Sequence, residues 1–213
     1  MPARLRPTAP IAADAILVGD PGRALMLAQE LLRQPKMSNH ARGLWGYSGE
    51  TDAGKALTIQ STGMGGPSAT VVLHDLADLG VRRAVRVGTC TALADFELGD
   101  LIVVTQAQSG GKPATSPGPE LTAALRDRLG NAARPAEVVS LDVLHRHAGE
   151  VEVAGEVADM QTAALLAAAA RLGVEAGALL IVSEKQGVPP LDDEDMEAAA
   201  KRAGNAATAV LSP

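Results

Sequence analysis

The chain has 213 residues and a formal net charge of −6, enough for a single domain over residues 1–213 with a sizeable core. The acidic balance excludes nucleic acid and anionic membrane as partners, since both need a cationic face. Its one cysteine, Cys90, cannot close an internal disulfide and fits a reducing cytoplasm. The basic start, Met1 to Arg6, leads to no secretory apolar stretch, and the alanine-rich run 163–170 is far short of the roughly 20 apolar residues a bilayer span needs. A soluble, cytoplasmic protein is expected. Trp45, Tyr47 and Phe96 are the only rings, so the core must be built from Leu, Val, Ile, Met and Ala.

In chain order, residues 15–18 read as a short buried strand that ends in Gly19-Asp20-Pro21-Gly22, a turn whose proline suits the first turn of a helix. That helix is predicted over 23–32, with Leu25, Ala28, Leu31 and Leu32 on one face. Residues 44–48 and 55–60 read as a strand pair joined through Asp52-Ala53-Gly54. A helix over 68–79 stops at Gly80. Buried-type strands follow at 84–88 and 101–105, then a helix at 121–129 and a strand at 138–141. The segment 160–172 is apolar nearly all round, as befits a covered helix, and Gly173 ends it. A strand at 178–182 precedes a C-terminal helix, 192–211, whose acidic first turn (Asp192, Asp193, Glu194) suits the positive end of the helix dipole. Segments 108–119 and 145–156 are expected to be flexible. There is no internal repeat. Alternating strands and helices predict an α/β fold, one domain with a mixed central β-sheet flanked by helices.

Three segments carry the chemistry: Gly19 to Arg23, Ser61-Thr62-Gly63-Met64-Gly65-Gly66-Pro67-Ser68, and Arg86-Val87-Gly88-Thr89-Cys90. Each follows or closes a predicted strand, where ligands collect in open α/β sheets. Glycine there lets main chain approach a ligand, and arginine offers a planar fork of donors for phosphate oxygens. Three such segments in one domain point to an oxyanion site. Arg86, inside an apolar strand, needs an anionic partner if buried. No His, Cys and carboxylate spacing resembles a metal site.

At these residues, and at His40-Ala41-Arg42-Gly43-Leu44-Trp45-Gly46-Tyr47, Asp159-Met160 and Val182-Ser183, the chain resembles the nucleoside phosphorylases. The branch is the hexameric one of bacterial purine nucleoside phosphorylase and uridine phosphorylase, and the resemblance covers nearly the whole length. It implies a three-layer α/β/α domain and the cleavage of a nucleoside by phosphate to free base and ribose 1-phosphate. No metal or organic cofactor is implied; inorganic phosphate is the co-substrate. By this resemblance Gly19, Arg23, Arg86 and Thr89 hold phosphate, and Arg42 reaches the phosphate of a neighbouring subunit. The partner is then a second copy of the chain, a dimer sharing sites within a hexamer. Met64, Met160 and Gln161 would lie at the ribose, and Cys90, Thr91, Ser183 and Glu184 at the base. Glu184 is the candidate general acid for the departing base, and Arg86 the second catalytic candidate.

The nucleoside side departs from the family pattern. Gln161 stands where the family has a ribose-binding glutamate, Glu184 where the purine branch has aspartate, and Thr91 where it has glycine. Leu144 and His145 replace an expected aromatic pair. The histidine that the family lends to its neighbour's ribose is absent, with Arg4 or Arg6 near that place. Two function classes stay open: a purine-leaning phosphorylase, and a catalytically impaired paralogue that binds phosphate or a nucleotide, or partners an active homologue. Uridine phosphorolysis and nucleoside hydrolysis are further enzyme readings.

Overall fold

The computed structural model describes residues 4–110, 113–143 and 155–212. The strands are β1 (Asp14–Val18), β2 (Arg33–Asn39), β3 (Gly46–Glu50), β4 (Ala56–Ser61), β5 (Arg83–Ala92), β6 (Leu101–Gln108), β7 (Ala133–Ser140), β8 (Val157–Asp159) and β9 (Glu175–Lys185). The helices are α1 (Pro21–Leu31), α2 (Gly65–Asp78), α3 (Pro119–Leu129), α4 (Thr162–Leu172) and α5 (Asp193–Leu211). All strands share one mixed sheet in the order β2-β3-β4-β1-β5-β8-β7-β6-β9. Because β9 pairs with both β6 and β5, the last five strands close on themselves.

Side-chain alternation along the strands splits the core in two. Ala15 and Leu17 of β1, Ala84 and Cys90 of β5, and Leu180 and Val182 of β9 pack with α2 and α4. Ile16 and Val18, Val85 and Val87, and Leu179 and Ile181 face α1, α3 and α5. With so few rings, close approach replaces bulk. A Cβ on Gly66 would lie 2.8 Å from the Ala164 Cβ, and one on Gly204 2.7 Å from a Leu27 methyl. These glycines let α2 reach α4 and α1 reach α5. The single domain is therefore a mixed sheet between two helical layers, as the alternation of elements implies.

Two strands had no anticipating pattern. β2 is polar and carries Pro35, which a sheet tolerates only at its edge, where β2 lies. β8 has three residues, too few for a period to show. Other boundaries move: β3 begins at Gly46 rather than 44, and α2 at Gly65 rather than 68. Within the first segment expected to be flexible, Thr115 forms a bridge to Ala107; residues 111–112 of it, 145–154 of the second, and Leu144 lie outside the described residues, His145 and His147 among them. Among the described residues no helix is long and apolar enough to cross a membrane.

The arrangement leaves a split beside β5. β1 accompanies β5 only as far as Leu17 opposite Arg86, and antiparallel β8 joins at Ala158 opposite Thr91. Between them, residues 87–90 have no ladder partner on that edge, while β9 stays paired along the other. The ends of β1 and β8 converge on this gap.

Candidate active site

Arg86 fills the gap. It shares its face of β5 with Ala84 and Cys90, so its side chain enters the α2/α4 side, where it is 4% exposed. The guanidinium folds forward over Gly88: a Cβ there would lie 2.5 Å from Nη2, so only glycine leaves the space. A carboxylate meets it inside the protein. Nη2 donates to Asp159 at 3.1 Å, Nη1 to Gln161 Oε1 at 2.6 Å, and Nε to Thr162 Oγ1 at 3.0 Å. The anionic partner that burial demands is thus Asp159, a residue with no expected role in the site.

Asp159 is held as firmly as it holds. It accepts from Ser140 Oγ at 2.5 Å, from the Thr162 N–H at 3.0 Å and from Thr162 Oγ1 at 2.5 Å. The last two fasten it to the first turn of α4, whose dipole favours a negative charge there. An aspartate shortly before an apolar helix is an N-terminal signal, which was the available clue.

Gln161 links this network to the two glycine turns. Its Oε1 accepts from Arg86 and lies 3.1 Å from Thr62 Oγ1, whose single proton is shared with the Val18 carbonyl at 3.0 Å. Its Nε2 donates to the Gly63 carbonyl. Gly63 and Gly65 both have positive φ, 70° and 79°, which turns the chain from β4 into α2 and leaves Met64 86% exposed. A Cβ on Gly19 would stand 3.6 Å from the Gly63 carbonyl and 4.0 Å from Gln161 Oε1. Gly19, Gly63, Gln161 and Arg86 therefore converge, and Met160, half-buried, adjoins them in sequence.

Arg23 approaches from the other helical layer. Asp20 caps α1 by accepting the Arg23 N–H at 2.7 Å. The half-buried guanidinium has no carboxylate partner among the described residues; Nη2 lies 3.7 Å from the Met196 sulfur. Burial pulls its pKa down, Asp20 opposes that, and the positive charge of Arg86 lowers it further. Two guanidiniums that feel each other, one of them without an ion-pair partner among the described residues, favour an anion between them. Thr89 is half-buried and, by alternation, on the face of Val85 and Val87, against which α5 packs.

The remaining predicted residues lie at the far end of β5. Thr91 and Glu184 are ladder partners with Oγ1 and Oε2 3.5 Å apart, and Ser183 Oγ donates to the Cys90 carbonyl at 3.3 Å. From Gly88, beneath the guanidinium, to Thr91 is three extended residues, ~10 Å. Glu184 is exposed and Thr91 half-buried. Cys90 is buried; desolvation, with Asp159 second, pushes its thiol pKa up against the pull of Arg86, so it packs rather than attacks. Among the described residues Arg42 has no bond to this cluster; it is exposed on the short 3-10 turn Ala41–Gly43. Among the described residues no three His, Cys, Asp or Glu side chains converge as metal ligands.

Comparison with known proteins gives one consistent picture. The model of the phosphorylase superfamily matches residues 14–212. A purine nucleoside phosphorylase, DeoD-type, of Bacillus thuringiensis (strain Al Hakam) is 33% identical over 194 residues, covering 82% of each chain. Proteins of the same description from Bacillus mycoides (strain KBAB4) and Bacillus cereus (strain AH187) are equally similar, at 33% identity and the same coverage.

Proposed function

The chain belongs to the phosphorylase superfamily, and from that premise we propose that it is a pentosyltransferase that splits a nucleoside, purine by preference, with inorganic phosphate. What supports this reading is the half-buried Arg23 guanidinium, without an ion-pair partner among the described residues and close enough to Arg86 to feel its charge. Arg86 has five N–H groups and gives three to Asp159, Gln161 and Thr162, leaving two for an oxyanion. Phosphate oxygen attacks the sugar C1′, the bond from C1′ to the base nitrogen breaks, and positive charge develops on the sugar ring. Arg23, Arg86, Gly19 and Thr89 hold the nucleophile below that carbon, and Arg42 of a neighbouring subunit completes the cradle in a homo-oligomer. Fixing phosphate at attacking distance contributes several kcal/mol. Met64, Met160 and Gln161 bound the sugar. Cys90, Thr91, Ser183 and Glu184 bound the base, with Glu184 giving it the proton it needs to leave. The chemistry requires no cofactor beyond phosphate.

Gln161 favours a second reading, a phosphate-binding paralogue with weakened sugar cleavage. Its Oε1 is engaged by Arg86 and Thr62, which leaves one Nε2 hydrogen for a sugar oxygen. A carboxylate would accept from sugar hydroxyls; this amide donates. The test is release of free base from inosine, adenosine and guanosine with and without added phosphate. Turnover only with phosphate, reduced on the order of 10²–10³-fold in Arg23→Ala, is expected. Phosphate binding without turnover on any nucleoside leaves the paralogue reading, and phosphate-independent hydrolysis overturns both.

A further inference from the structure

A second concentration of positive charge lies at the N-terminal edge of the molecule. Arg4, Arg6, Thr8, His40, Ala41 and Arg42 line an open cleft of about 320 Å³. Four of these six side chains are basic and none is acidic, in a chain of net charge −6. Among the described residues those four side chains make no ion pair or hydrogen bond; Arg4 and Arg6 bond only through their main-chain N–H groups.

The cleft nevertheless has a fixed frame. Buried Asn39 accepts the Arg6 N–H at 2.8 Å and donates to the Leu44 carbonyl, so one amide joins both walls. Buried Asp75 accepts the N–H groups of Arg4 and Leu5 at 2.9 and 3.0 Å, and the Thr8 N–H donates to the Ser38 carbonyl at 2.8 Å. Arg42 sits at φ 61°, a region side-chain-bearing residues seldom adopt. Guanidiniums on an ordered backbone, with no carboxylate among the side chains that line the cleft, are arranged for a multiply charged anion. Planar donor forks match phosphate oxygens. The volume, worth about ten waters at ~30 Å³ each, also admits a ring attached to the phosphate.

We propose that this cleft binds a phosphate dianion, carried on a sugar as a phosphate monoester and anchored by Arg4 and Arg6. Arg42 is shared with the reading above, which lends it to a neighbour; Arg4 and Arg6 are unused there, so the site stands on them. The wider consequence is a preference for phosphorylated over unphosphorylated ligands, with the ester phosphate held apart from the inorganic phosphate at Arg23 and Arg86.

Calorimetric titration of the full-length protein with ribose 5-phosphate, ribose and inorganic phosphate tests this. Ribose 5-phosphate should bind at least tenfold more tightly than ribose, and the preference should weaken as salt rises. Arg4→Ala/Arg6→Ala should cut ribose 5-phosphate affinity by about tenfold or more, two charge-assisted contacts being lost, while phosphate binding that depends on Arg23 persists. Arg23→Ala should do the reverse, which separates this proposal from the proposed reaction. Arg4→Lys/Arg6→Lys, which keeps the charge but not the fork, should fall between. Inorganic phosphate filling an Arg4- and Arg6-dependent site as tightly as the ester would identify the free ion as the occupant of the same site. Equal binding of ribose and its phosphate, or an alanine double variant that binds the ester like wild type, would overturn the proposal.

Discussion

Arg86 and Arg42 carry the same guanidinium in opposite circumstances. Around Arg86 the charge is enclosed: Asp159 neutralises it, Gln161 and Thr162 take two further N–H groups, and Ser140 and the start of α4 hold the carboxylate in turn. Around Arg42 the frame is as well bonded, through Asn39 and Asp75, but the guanidiniums it presents have no ion-pair partner among the described residues. The difference teaches where ligand binding energy must come from. A compensated buried arginine orients and contributes its leftover donors, whereas an uncompensated one supplies charge.

The largest expected effect tests the enclosed side. Asp159→Ala leaves Arg86 buried without a counter-charge, and breaking a buried pair costs ~3–5 kcal/mol; urea denaturation should show a loss of that size. A loss below ~1 kcal/mol would mean the pair is not what holds Arg86, and the contrast with Arg42 would dissolve.

Gly88→Ala comes next. The new methyl would stand 2.5 Å from Arg86 Nη2, and overpacking of this kind typically costs ~1–3 kcal/mol. Because the guanidinium must move, phosphate affinity should fall together with stability. Unchanged phosphate affinity would show that the position of Arg86 over Gly88 does not matter to the anion.

The smallest effect sharpens the account of the same pocket through its thiol. Burial raises the Cys90 pKa above its ordinary 9.0. The unfolded chain therefore loses that proton first, and stability falls as pH rises above about 9. The slope from this group is at most ~1.4 kcal/mol per pH unit. Unfolding curves at pH 8 and 10 should show a larger drop for wild type than for Cys90→Ala. Equal drops would place the thiol in contact with water.

Much of the architecture was legible because it rests on local signals. Pro21 after a capping Asp20, Gly80 and Gly173 after apolar helices, and Asp192 before α5 each mark an end by backbone chemistry. β2 escaped because an edge strand exposed on its outer side needs no apolar alternation, and its Pro35 argues against a strand. The candidate site was legible in its glycines and arginines, since few residue types suit close main-chain approach and phosphate geometry. It was not legible in its carboxylate. Asp159 lies 73 positions from Arg86 in the chain, and nothing local distinguishes a helix cap from the counter-ion of a distant strand.

Composition and periodicity alone thus determined a one-domain α/β chain with its glycine turns at strand ends, because those features follow from backbone sterics and burial, which act over a few residues. Only the tertiary structure decided which arginine is neutralised within the protein and which remain available. That depends on side chains brought together from remote segments, where a few ångströms separate an ion pair from an unmatched charge.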